Sequence, residues 1–240
     1  MKTQIKIDNL TKTFPTASGQ IKALDNISLE IFEGQCLVIA GENGSGKSVL
    51  VSIIAGLEKC ISGKVQAPKV GLVFQEAETQ ILGETPEEDI AFGPKNLGWK
   101  KEEVEPAVKS ALEKTGLTAK KDFPARFLSG GEKRRLAVAC MLAMNPPVII
   151  LDEPYANLDY SGIKQVNALI RQLKKDGKTV IILTHEIEKC LGLSDRLVIL
   201  CKGKKVFDGS PEEGLEQNLE QWNIHNPITS YKNVGDLVWE

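Results

Sequence analysis

Eight consecutive residues, Gly41-Glu42-Asn43-Gly44-Ser45-Gly46-Lys47-Ser48, constrain this chain most. They fit the pattern G-x-x-x-x-G-K-[ST] throughout. A continuous apolar run, Cys36-Leu37-Val38-Ile39-Ala40, precedes them, and Val49, Leu50, Ile53, Ile54 and Leu57 follow at helical spacing. A strand, a glycine-rich turn and a helix in that order let the backbone wrap tightly. Successive N–H groups and a helix N-terminus then point at phosphate oxygens. Lys47 supplies charge to the outer phosphates, and Ser48 offers a hydroxyl to Mg²⁺.

The rest of the chain supplies the sheet such a loop needs. Apolar runs at residues 70–74, 148–151, 179–183 and 197–200 suit strands buried on both faces. Ile5 and Ile7, and later Ile27, Leu29 and Ile31, alternate with polar residues, which predicts half-buried, antiparallel strands. Val104, Val108, Ala111 and Leu112 mark one helix face. Ile163, Val166, Ile170 and Leu173 mark another, closed by Asp176-Gly177. Buried strands alternating with helices mean an α/β fold with a mainly parallel sheet. Residues 76–145 break the alternation and read as a helical subdomain inserted into that core.

Composition excludes several function classes. The 240 residues carry a formal net charge of −2 and are 42% hydrophobic, as expected of a globular chain of one domain or two lobes. A slight acid excess argues against a general nucleic-acid binder. The basic run Lys133-Arg134-Arg135 is too short for a polyanion stripe and reads as a solvated face. No apolar run approaches the ~20 residues that span a bilayer, and the N-terminus lacks a signal-peptide pattern. Any work at a membrane is then expected from its cytosolic side, through a partner. Five cysteines without a C-x-x-C pair read as reduced and mostly buried, and two histidines argue against a zinc site.

Two further signals carry chemistry. Val148-Ile149-Ile150-Leu151-Asp152-Glu153 delivers two carboxylates to the end of a buried strand, where α/β sheets bind ligands. Beside a phosphate loop, Asp152 is expected to hold Mg²⁺ through its water shell. Glu153 is expected to polarise the water that attacks the γ-phosphate. Leu128-Ser129-Gly130-Gly131-Glu132 opens an apolar helix. On the residues alone it is equally an ordinary helix cap or a second anion site.

At this point the chain resembles the ATP-binding-cassette (ABC) ATPases, whose L-S-G-G signature caps the γ-phosphate of a nucleotide held by a partner subunit. The resemblance covers about residues 5–209. It implies a P-loop NTPase fold: a RecA-like parallel sheet with an N-terminal antiparallel β-subdomain and an inserted helical subdomain. One nucleotide-binding domain would then fill residues 1–240. Its α/β core would be 1–75 and 146–209, its helical subdomain 76–145, and 210–240 a C-terminal appendix. Phe14 stands where the family stacks an aromatic on adenine. Gln75 matches the glutamine that touches Mg²⁺ and senses the transmembrane partner. Ala156-Asn157-Leu158-Asp159 resembles the D-loop, which crosses the dimer interface. His185, by itself an ordinary structural histidine, matches the switch histidine that contacts the γ-phosphate. The resemblance thus implies Lys47, Gln75, Glu153 and His185 as catalytic residues. ATP would be held by Phe14, the loop from Gly41 to Ser48, Val49, Gln75 and Asp152. Mg²⁺ would be held by Ser48, Gln75 and Asp152. Ser129, Gly130, Gly131 and Asp159 would act on a partner's nucleotide.

Phe74-Gln75-Glu76-Ala77-Glu78-Thr79-Gln80-Ile81 and Ile90-Ala91-Phe92-Gly93-Pro94-Lys95-Asn96-Leu97-Gly98 resemble the energy-coupling-factor (ECF) ATPases of vitamin and metal-ion uptake. That resemblance implies a second ATPase subunit, a transmembrane coupling subunit and a substrate-binding membrane component, with this chain peripheral on the cytoplasmic face. The rivals are the ATPase of another ABC importer or exporter and a soluble ABC ATPase of translation or DNA repair. The stretch before Gln75 is short of a hairpin common in relatives, and the tail after Gly209 is short. Residues 76–94 hold six acids and no Lys or Arg, interleaved with Ile81, Leu82, Ile90 and Phe92. They read either as a solvated loop or as an acidic groove for a basic helix of the membrane subunit.

Overall fold

The computed structural model describes residues 2–17 and 19–228. Strands β1 (Thr3–Thr16) and β2 (Gly19–Phe32) pair antiparallel, and β4 (Ser62–Gln66) adds to the other edge of β1. Ile5, Ile7, Leu10, Ile27, Leu29 and Ile31 all turn inward from this sheet. A six-stranded sheet lies beneath it in the order β5-β6-β7-β3-β8-β9. Its strands are β3 (Cys36–Ala40), β5 (Val70–Val73), β6 (Val148–Asp152), β7 (Thr179–Thr184), β8 (Arg196–Cys201) and β9 (Lys204–Gly209). All but β9 run parallel.

The unbroken apolar run of β3 now has its reason. Leu37 and Ile39 join the core beneath the small sheet, beside Leu50 and Ile54 of helix α1 (Lys47–Ile54). Cys36, Val38 and Ala40 join the core on the opposite face. There they pack with α4 (Gly130–Ala143) and α5 (Tyr160–Lys175). Helices α2 (Pro86–Asn96), α3 (Lys101–Thr115) and α4 enclose a third core around Ile90, Val104, Leu112 and Leu136. Residues 76–145 contain no strand.

The cysteines are free, and Cys36 and Cys190 are buried. Burial pushes the Cys36 thiol up to about 12. After α6 (Pro211–Leu215) a short turn brings Leu219 and Ile224 into the main core. Residues 229–240, the end of the expected C-terminal appendix, lie outside the described residues.

Three expectations need correction. Helix α1 stops at Ile54, so Leu57 falls beyond it and is 62% exposed. The acids of residues 76–94 do not form one acidic face. Asp89 is buried and accepts hydrogen bonds from the N–H groups of Leu82 and Gly83. Glu78 pairs with Lys133 and Glu87 with Lys121. Finally, Arg134 is not part of a solvated face: it is 8% exposed.

Candidate functional site, a phosphate loop beside paired carboxylates

Parallel strands place their carboxyl ends on one edge of the sheet. Here the edge collects Gly41 after β3, Gln75 after β5, Glu153 after β6 and His185 after β7. The loop after β3 depends on glycine. Gly41, Gly44 and Gly46 have φ of +154°, +83° and +104°. A Cβ at Gly41 would lie 2.3 Å from the Leu200 carbonyl oxygen. Helix α1 starts at Gly46 without a side-chain cap. Its first N–H groups are therefore presented to the turn.

Lys47 is 5% exposed and folds back over this loop. Its Nζ donates to the carbonyls of Gly41 (2.7 Å) and Glu42 (3.1 Å) and lies 3.7 Å from Glu153 Oε1. Burial lowers the lysine's pKa, and the charges of Glu153 and Asp152 oppose that shift. Glu153 is buried as well, and His185 Nδ1 stands 3.0 Å from its Oε1. The Glu153 backbone is left-handed, with φ +46°. Asp152 is buried, which raises its pKa; a hydrogen bond from Ser48 works the other way. Its Oδ1 has no hydrogen-bond partner. An orphaned oxygen on a carboxylate that is hydrogen-bonded to an exposed serine belongs to the all-oxygen donor set a hard divalent cation takes.

Ala23, Asn43, Gly44, Gly46, Lys47, Ser48, Val49, Gln75 and Glu153 line one cavity here. Phe14 is not among them; it pairs with Ile21 across β1 and β2, and Lys12 Nζ stands 4.8 Å from its ring centroid. Glu42 accepts a hydrogen bond from Asn223 Nδ2 at 2.7 Å, a tie between the loop and the C-terminal segment that the sequence did not suggest.

The structure does not bring Ser129, Gly130, Gly131 or Asp159 to that cavity. Ser129 caps α4: its Oγ accepts from the Glu132 N–H while Glu132 Oε2 accepts from the Ser129 N–H. Lys120 and those bonds hold the Glu132 carboxyl below its ordinary range. Gly130 lines a separate cleft with Gln75, Lys133 and Asn157. Asp159 caps α5, accepting from the Gly162 N–H at 2.7 Å.

Sequence reasoning missed Arg134. Its guanidinium donates to the carbonyl oxygens of Glu153 (3.0 Å) and Gln75 (2.8 Å). The available signal was its phase: Arg134 shares a helix face with Ala137, Val138 and Met141, all packed in the main core.

The ABC transporter family model matches residues 24–156. The chain belongs to the ABC transporter family. As one of its ATP-binding proteins, the chain hydrolyses ATP to drive transport. The energy-coupling factor transporter ATP-binding protein EcfA2 of Clostridium tetani is 39% identical over 95% of this chain and 86% of its own length. The structure of cbiO1 from Clostridium perfringens, described as part of the ABC transporter complex cbiONQ, matches with a TM-score of 0.81. It is 30% identical and covers 95% of this chain and 97% of its own. The ATP-binding cassette MJ0796, a dimer in a post-hydrolysis state with ADP and Pi, matches with a TM-score of 0.78. It too is 30% identical and covers 87% of this chain and 99% of its own. The fold, with its antiparallel subdomain on a mainly parallel sheet, is that of the ABC ATPases. Among the described residues, no helix is long and apolar enough to cross a membrane.

Proposed function

We propose that this chain is one ATPase subunit of an ECF-type importer, energising uptake of a vitamin or metal ion from the cytoplasmic face of the membrane. The similarity to EcfA2 and cbiO1 supports the ECF type, and one observation carries the ATPase reading. Lys47, Ser48, Asp152, Glu153 and His185 converge at the end of β3, while the exposed Ser129–Gly131 turn stands elsewhere. A cavity able to bind a triphosphate and an anion-binding turn on a separate surface complete each other when two subunits meet head to tail. The partner is a second copy or a related ATPase. Membrane contact runs through a transmembrane coupling subunit and a substrate-binding component, and the chain takes no nucleic acid.

In this reading the N–H groups of residues 44–49 and the Lys47 ammonium bind the phosphates. Asp152, Ser48 and Gln75 would hold Mg²⁺, which would supply positive charge beside the phosphate oxygens. Glu153 orients the attacking water and accepts its proton; His185, hydrogen-bonded to Glu153, holds that carboxylate and the γ-phosphate region in register. Glu153 Oε1 lies 3.7 Å from Lys47 Nζ and 3.0 Å from His185 Nδ1, the two groups that this reading also assigns to the γ-phosphate. Ser129 Oγ uses a lone pair for its cap, which leaves the hydroxyl proton to donate to a partner's phosphate. Phe14 stacks on adenine. The domain division follows: residues 1–75 and 146–209 bind nucleotide, 76–145 carry the cap and meet the membrane subunit, and the described residues 210–228 pack back on the nucleotide-binding core.

Substitution Glu153→Gln tests the chemistry. Turnover is expected to fall roughly 10²–10⁴-fold, while ATP affinity stays. Near-normal turnover would remove Glu153 from its role. Co-purification from membranes with small substrate-binding membrane proteins tests the ECF assignment; co-purification with the membrane subunits of an exporter would overturn it.

A further inference from the structure

Arg134 sits in α4 about one and a half turns beyond the Ser129 cap. Its side chain turns inward, away from Lys133 and Arg135, which pair with Glu78 and Gln165 on the surface. Nη1 reaches the Glu153 carbonyl at 3.0 Å and Nη2 reaches the Gln75 carbonyl at 2.8 Å. Those two carbonyls belong to the segments that leave neighbouring parallel strands, β6 and β5. The planar fork of a guanidinium can span two acceptors at once, which a lysine ammonium on a flexible stem cannot do in a fixed geometry.

The consequence falls on Glu153. Its backbone stands at φ +46°, a conformation a glutamate does not adopt without support. Support comes from both sides. The Glu153 N–H donates to Leu183 O at 2.9 Å, and the Glu153 carbonyl accepts from Arg134 and from the Ala156 N–H at 3.2 Å. With both flanking peptides held, the direction of the side chain is held too. That direction places the carboxylate 3.0 Å from His185 Nδ1 and 3.7 Å from Lys47 Nζ.

We infer that Arg134 is a positioning residue for hydrolysis, whose guanidinium locks the Glu153 and Gln75 main chains together and so sets where both side chains stand. The inference rests on the reading of Glu153 as the group that orients water. Because Arg134 shares a helix with Ser129–Gly131, a displacement of that cap is passed to Glu153 and Gln75 as one unit.

The test compares Arg134→Lys and Arg134→Ala with the wild type, using the full-length chain. Both variants are expected to lose about 10- to 100-fold in kcat. Affinity for a fluorescent ATP analogue should stay within about threefold of wild type, as befits a group that acts after binding. Millimolar guanidinium ion should restore part of the Arg134→Ala rate and leave the wild type unchanged. In a Glu153→Gln background, Arg134→Lys should cost clearly less than it does in the wild type, since the part of its effect that passes through the Glu153 carboxylate is already gone and only the part through Gln75 remains. Wild-type turnover in Arg134→Lys would overturn the inference. So would losses of kcat, nucleotide affinity and Tm that run in step without guanidinium rescue, or a full additional loss in the Glu153→Gln background. Fast turnover by Glu153→Gln alone would instead sink the reading of Glu153, so the two failures are separable.

Discussion

At Gly46 a methyl group would sit 2.5 Å from the Ala23 carbonyl oxygen and 2.9 Å from Leu24 Cδ2, on a backbone with φ +104°. Both the clash and the dihedral forbid a side chain, so the loop can close on a phosphate only with glycine here. Gly46→Ala is expected to cost about 1–3 kcal/mol of stability from backbone strain. It should also weaken ATP binding at least about tenfold by displacing the Lys47 and Ser48 N–H groups. Calorimetry of unfolding and an ATP titration check both. This residue was legible in the sequence because its motif states a backbone requirement. Two other residues were misread because neighbours in a helix point about 100° apart. The run Glu87-Glu88-Asp89 looks like one acidic patch, yet Asp89 turns inward to hold the N–H groups of Leu82 and Gly83. Lys133-Arg134-Arg135 looks like one basic patch, yet the middle side chain is the buried one. A charge run in a helix has no single face, and its members must be sorted by phase before a role is given to any.

Among the strands, those with a buried face announced themselves, and β4 and β9, which bury no residue fully, did not. Strands β3, β6 and β7 are buried at every residue. Burial on two faces forces an apolar run. Strand β4 (Ser-Gly-Lys-Val-Gln) is mostly exposed, and β9 carries Lys204, Lys205 and Asp208, so neither shows that pattern. What holds β9 is electrostatic as much as apolar. Arg196 of β8 donates through Nε to Asp208 Oδ1 at 2.6 Å and through Nη1 to the Glu30 carbonyl of β2 at 2.8 Å. Lys205 donates to Asp208 Oδ2 at 2.5 Å. Burial pulls the Asp208 carboxyl upward, but the hydrogen bonds and charges of Arg196 and Lys205 outweigh it and leave the group below its ordinary 3.8. A depressed carboxyl stabilises the fold above its unfolded pKa, and that contribution is lost as pH falls through the folded value. Asp208→Asn should therefore lower stability at neutral pH by about 1–3 kcal/mol. The gap between variant and wild type should close below about pH 4. Urea unfolding at several pH values measures it; a gap that does not vary with pH would mean the ion pair contributes through shape alone.

For the whole molecule, the decisive relation is between surfaces that no single copy brings together. The phosphate-loop motif named Lys47 from its residues, and the family resemblance named Gly131, but order along a chain says nothing about which copy completes which site. The fold leaves Gly131 outside the cavity that holds Lys47. If each site is shared, two crippled subunits can repair each other. Lys47→Ala disables the phosphate loop. Gly131→Asp puts a negative charge on the cap where a phosphate would arrive. The fold should tolerate it, since a Cβ there meets only Leu158 Cδ2 at 3.7 Å and Arg135 Nη1 at 3.9 Å. In a mixed dimer, one site combines the dead loop of one subunit with the dead cap of the other. The second site combines an intact loop with an intact cap. An equal mixture of the two variants, in a chain shown by light scattering to self-associate with MgATP, should recover up to about a quarter of wild-type turnover: half the dimers are mixed and each has one sound site. That figure holds where one sound site suffices for turnover. The mixture's ATPase rate decides the matter. A self-associating mixture no more active than its two parts would mean that loop and cap serve the same copy, and the head-to-tail arrangement would have to be given up.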